Sequence, residues 1–597
     1  MVRFDHPSRS PILKAELEHL LRQALASLVP SVLPDAPDPA SIAVERTRDP
    51  AHGDFATNVA LRLAKTAGRK PRELAQAILE AIPPNELIAG AAIAGAGFIN
   101  FRLAKHTFAA TLQRIHDEGE RFGRGRVGAG TKVLLEFVSA NPTGPMHVGH
   151  GRQAAYGATL GNLLVAAGFD VQREFYINDA GRQIDILAVS VYLRYLEASG
   201  ETLTFPVNGY RAAYILPVAA ALRAEVGDSL RRASAEMYAD APPDAPAGDK
   251  DKHIDALIGN ARRLLGAAGF ERIVTFARDR MLAEIRDDLD GFGVSFDRWY
   301  SERELETSGA IDRALNKLRD ENRVYEKDGA EWFRAVEFGD DEDRVVVREN
   351  GLKTYFASDI AYHYDKRQRG FDKLIDVLGA DHHGYVARVR GGLVALGEPA
   401  DCLEVCLVQL VSLFRNGEKL SMGKREGNFV TLRQLRDEVG NDACRLFYLM
   451  RSNDQHLDFD LELAKSRSNE NPVYYIQYAH ARVASVLKQL ESRGLRFDRA
   501  QGLAHAARLT GVHEEAVLTA LSRYPEVVEH AALARAPHAL VHYLRELANS
   551  FHTYYNAEQF IVEDAELRNA RLALVLGVQQ VIRNGLGILG VAAPETM

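Results

Sequence analysis

Cysteine is nearly missing from this chain: its 597 residues include three, Cys402, Cys406 and Cys444. Three thiols build no disulfide framework. Cys402 and Cys406 have no second Cys or His pair at zinc spacing, so core thiols in a reducing compartment are expected, with no protein-bound metal. Apolar runs of membrane length are missing as well, and the opening MVRFDHPSRS has no apolar signal core. Those two gaps predict a cytoplasmic protein with no membrane partner. Basic charge is not in excess: 73 Lys+Arg stand against 81 Asp+Glu, a formal net charge of -8. That balance offers no general field for DNA, although RNA contact depends on local patches. Internal repeats and heptads are absent too, which excludes solenoids and coiled coils.

What is present is an ordinary globular composition, 46% hydrophobic and 26% charged, in a chain long enough to need several domains. Residues 1–118 read as a small α/β domain. Helical patterns cover 12–28 and 107–118, a polar turn-rich stretch covers 44–58, and a glycine-rich segment at 93–97 leads into the strand-like Phe98-Ile99-Asn100-Phe101. A Gly/Arg-rich linker follows at 119–130.

Residues 131–441 alternate apolar runs with helical patterns: VLLEFV then the helix after His150, TYFASDI then AYHYDKRQ, KLIDVLGA then VARVRGGLVALG, and finally CLEVCLVQLVSLF. This alternation predicts a Rossmann-type parallel sheet with right-handed crossovers and ligands at the carboxyl ends of its strands. Residues 195–300 interrupt it as an insertion, whose Pro/Asp/Gly-rich tract at 240–250 is expected to be a mobile loop. Residues 464–597 are helical throughout and predict an all-α bundle. The fold class is therefore multidomain α/β: a small N-terminal domain, a parallel-sheet core with an insertion, and a C-terminal helical bundle. Residues 461–597 carry 14 Lys+Arg and 14 Asp+Glu, a neutral stretch in an acidic chain and compatible with an RNA surface.

Chemistry concentrates after the first core strand. Asn141-Pro142-Thr143-Gly144-Pro145 is a turn, and His147-Val148-Gly149-His150 opens a helix. Unpaired N–H groups and the dipole at a helix start favour phosphate. Two histidines three apart share one face there, and Gly149 between them leaves room for a flat base against the backbone. A second phosphate element is Ser421-Met422-Gly423-Lys424-Arg425, a basic loop after a strand and the turn Arg415-Asn416-Gly417. Lys424 is a compact charge able to neutralise phosphate oxygens. Near the expected pocket, Glu136, Asn141, Tyr355 and Asp359 fall at strand ends. A guanidinium has five donors and no acceptor, and these positions offer carboxylates and an aromatic face. Read alone, an aspartate at 359 is more often a helix N-cap, here for 360–366.

The run LEFVSANPTGPMHVGHGR resembles the HIGH segment of class I aminoacyl-tRNA synthetases, and most of all that of arginyl-tRNA synthetases. The resemblance implies a ligase that joins L-arginine to tRNA(Arg) through an arginyl-adenylate, using ATP and Mg2+, with tRNA required in the first step and a monomeric enzyme. It implies catalytic roles for His147, His150 and Lys424, and ATP contacts at Pro142, Gly144, His147, Gly149, His150, Met422 and Lys424. Ser421 and Gly423 depart from the family's KMSKS loop, where lysine and serine are expected. The arginine site is implied at Glu136, Asn141, Tyr355, Asp359 and His382. His382 stands where some members have glutamine, and with His383 it is alternatively on the ATP side. Asn178 and Asp179 resemble a pocket-wall segment or are turn residues.

His52-Gly-Asp-Phe-Ala-Thr-Asn58 and Gly97–Leu103 resemble the family's N-terminal domain, which touches the tRNA elbow. Phe98 and Asn100 match positions that stack on and hydrogen-bond a D-loop base, or are strand packing. Residues 464–597 resemble the DALR anticodon-binding domain, in which Tyr475, Tyr478 and Arg482 share one side of a helix and either pack or reach RNA. The rival readings are a sister class I synthetase such as the cysteinyl enzyme, a non-catalytic tRNA-binding paralogue, and a free nucleotidylyltransferase. The first should carry zinc-binding Cys/His clusters, which this chain lacks; intact His147, His150 and Lys424 speak against the second; the chain's length and helical C-terminal domain speak against the third.

Overall fold

In the computed structural model, the described residues are 13–47, 49–420 and 430–597. They fall into two compact units: Gly128–Val165 with Phe169–Arg467, and the described parts of Met1–Val127 with Ala166–Gly168 and Ser468–Met597.

The first unit is built on five parallel strands in the order Leu403–Val408, Lys373–Gly379, Lys132–Phe137, Asp170–Ile177 and Arg298–Ser301. The central strand is apolar on both faces because helices cover both: Val133, Leu134, Leu135 and Phe137 are all buried. From Lys132–Phe137 the chain works outward in one direction, then returns to the other side. This leaves a crevice at the carboxyl ends of Lys132–Phe137 and Lys373–Gly379, the usual ligand position in such sheets.

Three expectations change here. The run CLEVCLVQLVSLF is two strands. Leu403–Val408 stays in the parallel sheet, and Val411–Arg415 crosses to a small sheet with Glu418–Lys419 and Leu457–Asp460. The break falls at Leu410, which is 72% exposed. The Asn416-Gly417 turn has φ of 52° and 79°, the left-handed pair a tight hairpin needs. TYFASDI is helical: Thr354 caps Tyr355–Gln368 by accepting from Ala357 N, so Asp359 is a mid-helix residue one turn after Tyr355 and not an N-cap. The Arg298–Ser301 strand pairs within the parallel sheet, so the insertion ends before it.

The insertion packs helices Ile215–Val226 and Lys250–Gly291 against Arg182–Ala198 around Leu187, Val191, Tyr195, Leu222, Leu257 and Ile273. The 240–250 tract is pinned at several points. Asp244 accepts from Val207 N, the Pro242 carbonyl meets His253, and Asp249 caps the Lys250–Gly291 helix. Short Asp-to-backbone bonds and the cap hold a composition that by itself suggests a loose loop.

In the second unit an antiparallel sheet, ordered Glu45–Arg46, Phe55–Thr57, Phe98–Leu103, Ile88–Ala94, packs on helices Leu13–Ser27 and Pro71–Ala81. The C-terminal helices include Pro472–Ser492, Pro537–Ala557 and Ala565–Leu589. By length and composition Ala565–Leu589 could cross a membrane, contrary to the expectation that no such run exists, but it is the bundle's core helix and 67% of its apolar window is buried. The N-terminal and C-terminal segments are one compact unit: Arg46 forks onto Glu526 at 2.9 Å, and Lys105 meets Glu515 at 2.5 Å.

Candidate active site

The central strand ends in strained backbone. Val138 and Ser139 have φ of 69° and 41°, and a β-branched residue there costs about 1–3 kcal/mol. The turn is held by Ser139 Oγ, which donates to Glu136 Oε1 at 2.8 Å and accepts from Tyr176 N at 3.1 Å. Beyond it Pro142 is buried and Asn141 is exposed, its Nδ2 donating to Gln183 Oε1 at 2.9 Å. The Val148–Ala166 helix then begins.

His147 Nδ1 accepts from Gly149 N at 3.1 Å and His150 N at 3.4 Å, and His150 Nδ1 accepts from His147 N at 3.4 Å. The rings stack, 3.7 Å between centroids. With both Nδ1 atoms accepting, the neutral rings hold their protons on Nε2, the arrangement that donates to a phosphate oxygen. A Cβ on Gly149 would lie 3.0 Å from His147 Cε1. The space expected for a base is therefore filled by His147's own ring.

Ser421, Met422, Gly423 and Lys424 lie outside the described residues. The segment just after them is stitched to the histidine turn: Leu432 N donates to Met146 O at 2.8 Å, Val148 N donates to Val430 O at 3.3 Å, and Thr431 bridges His147.

Across the crevice, Glu174, Glu136 and Asp376 sit side by side in register on three strands. The Tyr355–Gln368 helix neutralises two of them. Fully buried Lys366 donates to Glu136 Oε2 at 2.5 Å and to Asp376 Oδ1 at 2.9 Å, and His363 Nε2 meets Asp376 Oδ2 at 2.6 Å. Burial pulls the Lys366 ammonium down, but Asp376 and Glu136 hold it above the ordinary lysine range. Arg369 and the Tyr362 hydroxyl occupy Glu174. Both Glu136 oxygens are thus engaged, and the residue expected to take a guanidinium is paired within the protein.

Two other carboxyls are not. Asp359, half-buried on the same helix, has no ion pair among the described residues. Burial pushes it up to about 7, with Glu136 adding and His363 opposing. Glu302, just past the Arg298–Ser301 strand, is 6% exposed, and its Oε2 has no hydrogen-bond partner among the described residues. Burial, then Asp359, pushes it up to about 7 as well. Tyr176 lies in the field of Glu302, Asp359 and Glu136; after burial, these hold its hydroxyl far above the ordinary tyrosine range. Two acids raised in this way, with no ion pair for either among the described residues, offer the carboxylate acceptors that a guanidinium needs.

Glu302 and Tyr176 were not singled out from the sequence. Glu302 follows a strand that falls inside the stretch read as insertion; the available signal was its place at a strand's carboxyl end. Tyr355 is 61% exposed at the rim, its hydroxyl 3.0 Å from where a Cβ on Gly181 would stand. His382 is exposed and lies 3.9 Å from Asp381. Nothing described joins it to the two acids. Asp179 is buried against Ser301 and Arg278 and fastens the strand end.

In the other unit, Phe98, Asn100 and Arg102 share the outward face of their strand while Ile99, Phe101 and Leu103 are buried. Phe98 is 44% exposed, so packing does not account for it. Tyr475, Tyr478 and Arg482 line one cavity of about 230 Å³ with Asn469, Asn549, His552, Thr553 and Asn556. Arg482 lies over Tyr478 and Tyr555, 4.4 and 4.6 Å from the ring centroids.

Comparison with known proteins accounts for both units. Residues 15–103 match the arginyl tRNA synthetase N terminal domain, 112–210 and 278–467 the catalytic domain of class I (R) tRNA synthetases, and 476–597 the DALR anticodon binding domain. The gap in the catalytic match falls in the insertion. Arginine–tRNA ligases of Thioalkalivibrio sulfidiphilus and Halorhodospira halophila are 55% and 53% identical to the chain, each over 98% of it and 100% of their own length. The arginyl-tRNA synthetase structure from Thermus thermophilus superposes with a TM-score of 0.73 over 98% of this chain and all of that one, at 24% identity, and so bears on the fold alone. Matched from end to end, and with a carboxylate pocket beside a histidine-capped helix, the chain belongs to the arginyl-tRNA synthetase family.

Proposed function

We infer that the protein ligates L-arginine to tRNA(Arg) with ATP, for protein synthesis. The observation that carries the pocket assignment is structural: Asp359 and Glu302 make no ion pair among the described residues, and Glu302, 6% exposed, has an Oε2 with no hydrogen-bond partner there. A guanidinium between them would ionise both and supply the missing charge. Tyr176 and Tyr355 flank that position, Asn141 takes the α-amino or α-carboxyl end, and His382 stands at the adjacent strand end. Glu136 acts through Lys366 and Ser139, which hold the strand exit.

An arginine carboxylate oxygen attacks the α-phosphorus of ATP, the bond to the bridging oxygen breaks, and pyrophosphate leaves. A ribose hydroxyl of the tRNA 3′ end then attacks the adenylate carbonyl and AMP leaves. No side chain forms a covalent intermediate; catalysis is positioning and charge stabilisation. His147 and His150 donate through Nε2 to phosphate oxygens. Pro142, Gly144 and Gly149 shape the nucleotide wall, and Met422 and Lys424 meet the triphosphate. His147, His150 and Lys424 would hold the triphosphate, and Mg2+ bound with ATP would supply further charge neutralisation there.

Residues 1–118, 131–441 and 464–597 divide the work as elbow binding, catalysis and anticodon binding. Phe98 and Asn100 meet a D-loop base, and Tyr475, Tyr478 and Arg482 meet the anticodon. The enzyme works as a cytoplasmic monomer, with neither DNA nor membrane as partner.

The test is ATP–pyrophosphate exchange with each of the twenty amino acids, with and without total tRNA. Exchange for arginine alone, and only with tRNA, is expected. Exchange for another amino acid discards the pocket assignment.

A further inference from the structure

The insertion reaches the Thr143–Gly144 turn through Tyr214. Tyr214, immediately before the Ile215–Val226 helix, donates its hydroxyl to the Thr143 carbonyl at 2.7 Å. Its ring end covers Gly144: a Cβ there would stand 2.8 Å from Tyr214 Oη and 2.9 Å from Cζ. Gly144 is not among the positive-φ glycines, so the tyrosine and not the backbone conformation excludes a side chain at that position. Tyr210, four residues earlier, is tied to the neighbouring helix: its N–H donates to Ser190 Oγ at 2.9 Å. Ser190 belongs to the Arg182–Ala198 helix, whose Gln183 receives Asn141 at 2.9 Å. The loop from Asn141 to Gly144 is thereby held along its length by the insertion and the helix on which it packs.

We propose that Tyr214 is a positioning residue for ATP: the insertion holds the Thr143–Gly144 peptide where the nucleotide wall needs it. The inference rests on the reading of residues 142–150 as the ATP segment. A tyrosine that only fastened the insertion would alter stability and leave the nucleotide's KM alone.

The experiment is steady-state ATP–pyrophosphate exchange by the full chain at saturating tRNA, with the KM of ATP and of arginine measured separately. The variants are Tyr214→Phe, Tyr214→Ala, Gly144→Ala, the Gly144→Ala/Tyr214→Ala double, and His150→Ala. Tyr214→Phe keeps the ring and is expected to raise the ATP KM roughly fivefold, the scale of one hydrogen bond, with the arginine KM within about twofold. Gly144→Ala is expected to lose more in the wild-type background than beside Tyr214→Ala, where the added methyl has room. An ATP KM unmoved in both Tyr214 variants while His150→Ala is crippled overturns the proposal. So do equal shifts for ATP and arginine, or strict additivity of Gly144→Ala and Tyr214→Ala. If His150→Ala leaves ATP kinetics untouched, the ATP reading of the segment fails and this proposal falls with it.

Discussion

Lys366 and Glu136 form a buried ion pair at 2.5 Å beneath the crevice, and the ammonium also reaches Asp376, which lies opposite Glu136 on the neighbouring strand. One lysine therefore serves two in-register carboxylates. Removing one partner of a buried pair leaves uncompensated charge and typically destabilises by about 3–5 kcal/mol. Lys366→Met is expected to lower the thermal transition of the catalytic unit by several degrees. Adding Glu136→Gln should restore part of it, as calorimetry of both variants would show. A Lys366→Met protein as stable as wild type would remove the role.

Glu302→Gln should separate stability from binding. A carboxyl raised to about 7 in the folded state contributes stability that is present below its unfolded value near 4.5 and is lost as pH rises through 7. Without arginine, at pH 8, the glutamine variant is expected to be more stable by roughly 1–3 kcal/mol. Its arginine KM should nonetheless rise roughly a hundredfold, as expected for loss of a charged hydrogen bond. Thermal melts with and without arginine check the first, and exchange kinetics the second.

Arginine binding should release protons. Asp359 and Glu302 are both near 7 when empty, and a guanidinium favours their ionised forms. Affinity is expected to tighten as pH rises from 6 through 7 and to level above about 8. Titration calorimetry at pH 6.5 in two buffers of different ionisation heat measures the release. Asp359→Asn should flatten the profile and weaken arginine far more than ATP; equal loss for both ligands would make the aspartate structural.

Lys424→Ala is expected to cut arginine-dependent exchange by at least about a hundredfold, the scale of losing one charge-stabilising group. Arginine binding, followed by calorimetry, should stay near normal. Full turnover in that variant would take the lysine out of catalysis.

In the helical bundle, Tyr475→Ala and Arg482→Ala are expected to raise the tRNA KM by roughly tenfold or more, since a base stacked on an aromatic ring is worth about 1–3 kcal/mol. The kcat at saturating tRNA should hold. An unchanged tRNA KM in both would leave the cavity without an RNA role.

Motifs and periodicity made the parallel sheet, the helical bundle and the histidine turn legible, because each is written in local spacing. The strand pair within CLEVCLVQLVSLF was not, since a continuous apolar run carries no mark of where it changes sheets. Nor was the helical start at Tyr355, whose aromatic and small residues suit strand or helix until Thr354 is seen to cap it.

By itself the sequence determined the order of the elements, the histidine-capped phosphate turn and the family to which the chain belongs, all of which depend on neighbours along the chain. The tertiary structure alone decided the charge state of the pocket. Glu136, Glu174, Asp359 and Glu302 are all acids in the sequence. Lys366, 230 residues from Glu136, and Arg369, 195 from Glu174, neutralise two of them. Asp359 and Glu302 make no ion pair among the described residues, because burial and ion pairing are set by what the sheet brings together in space.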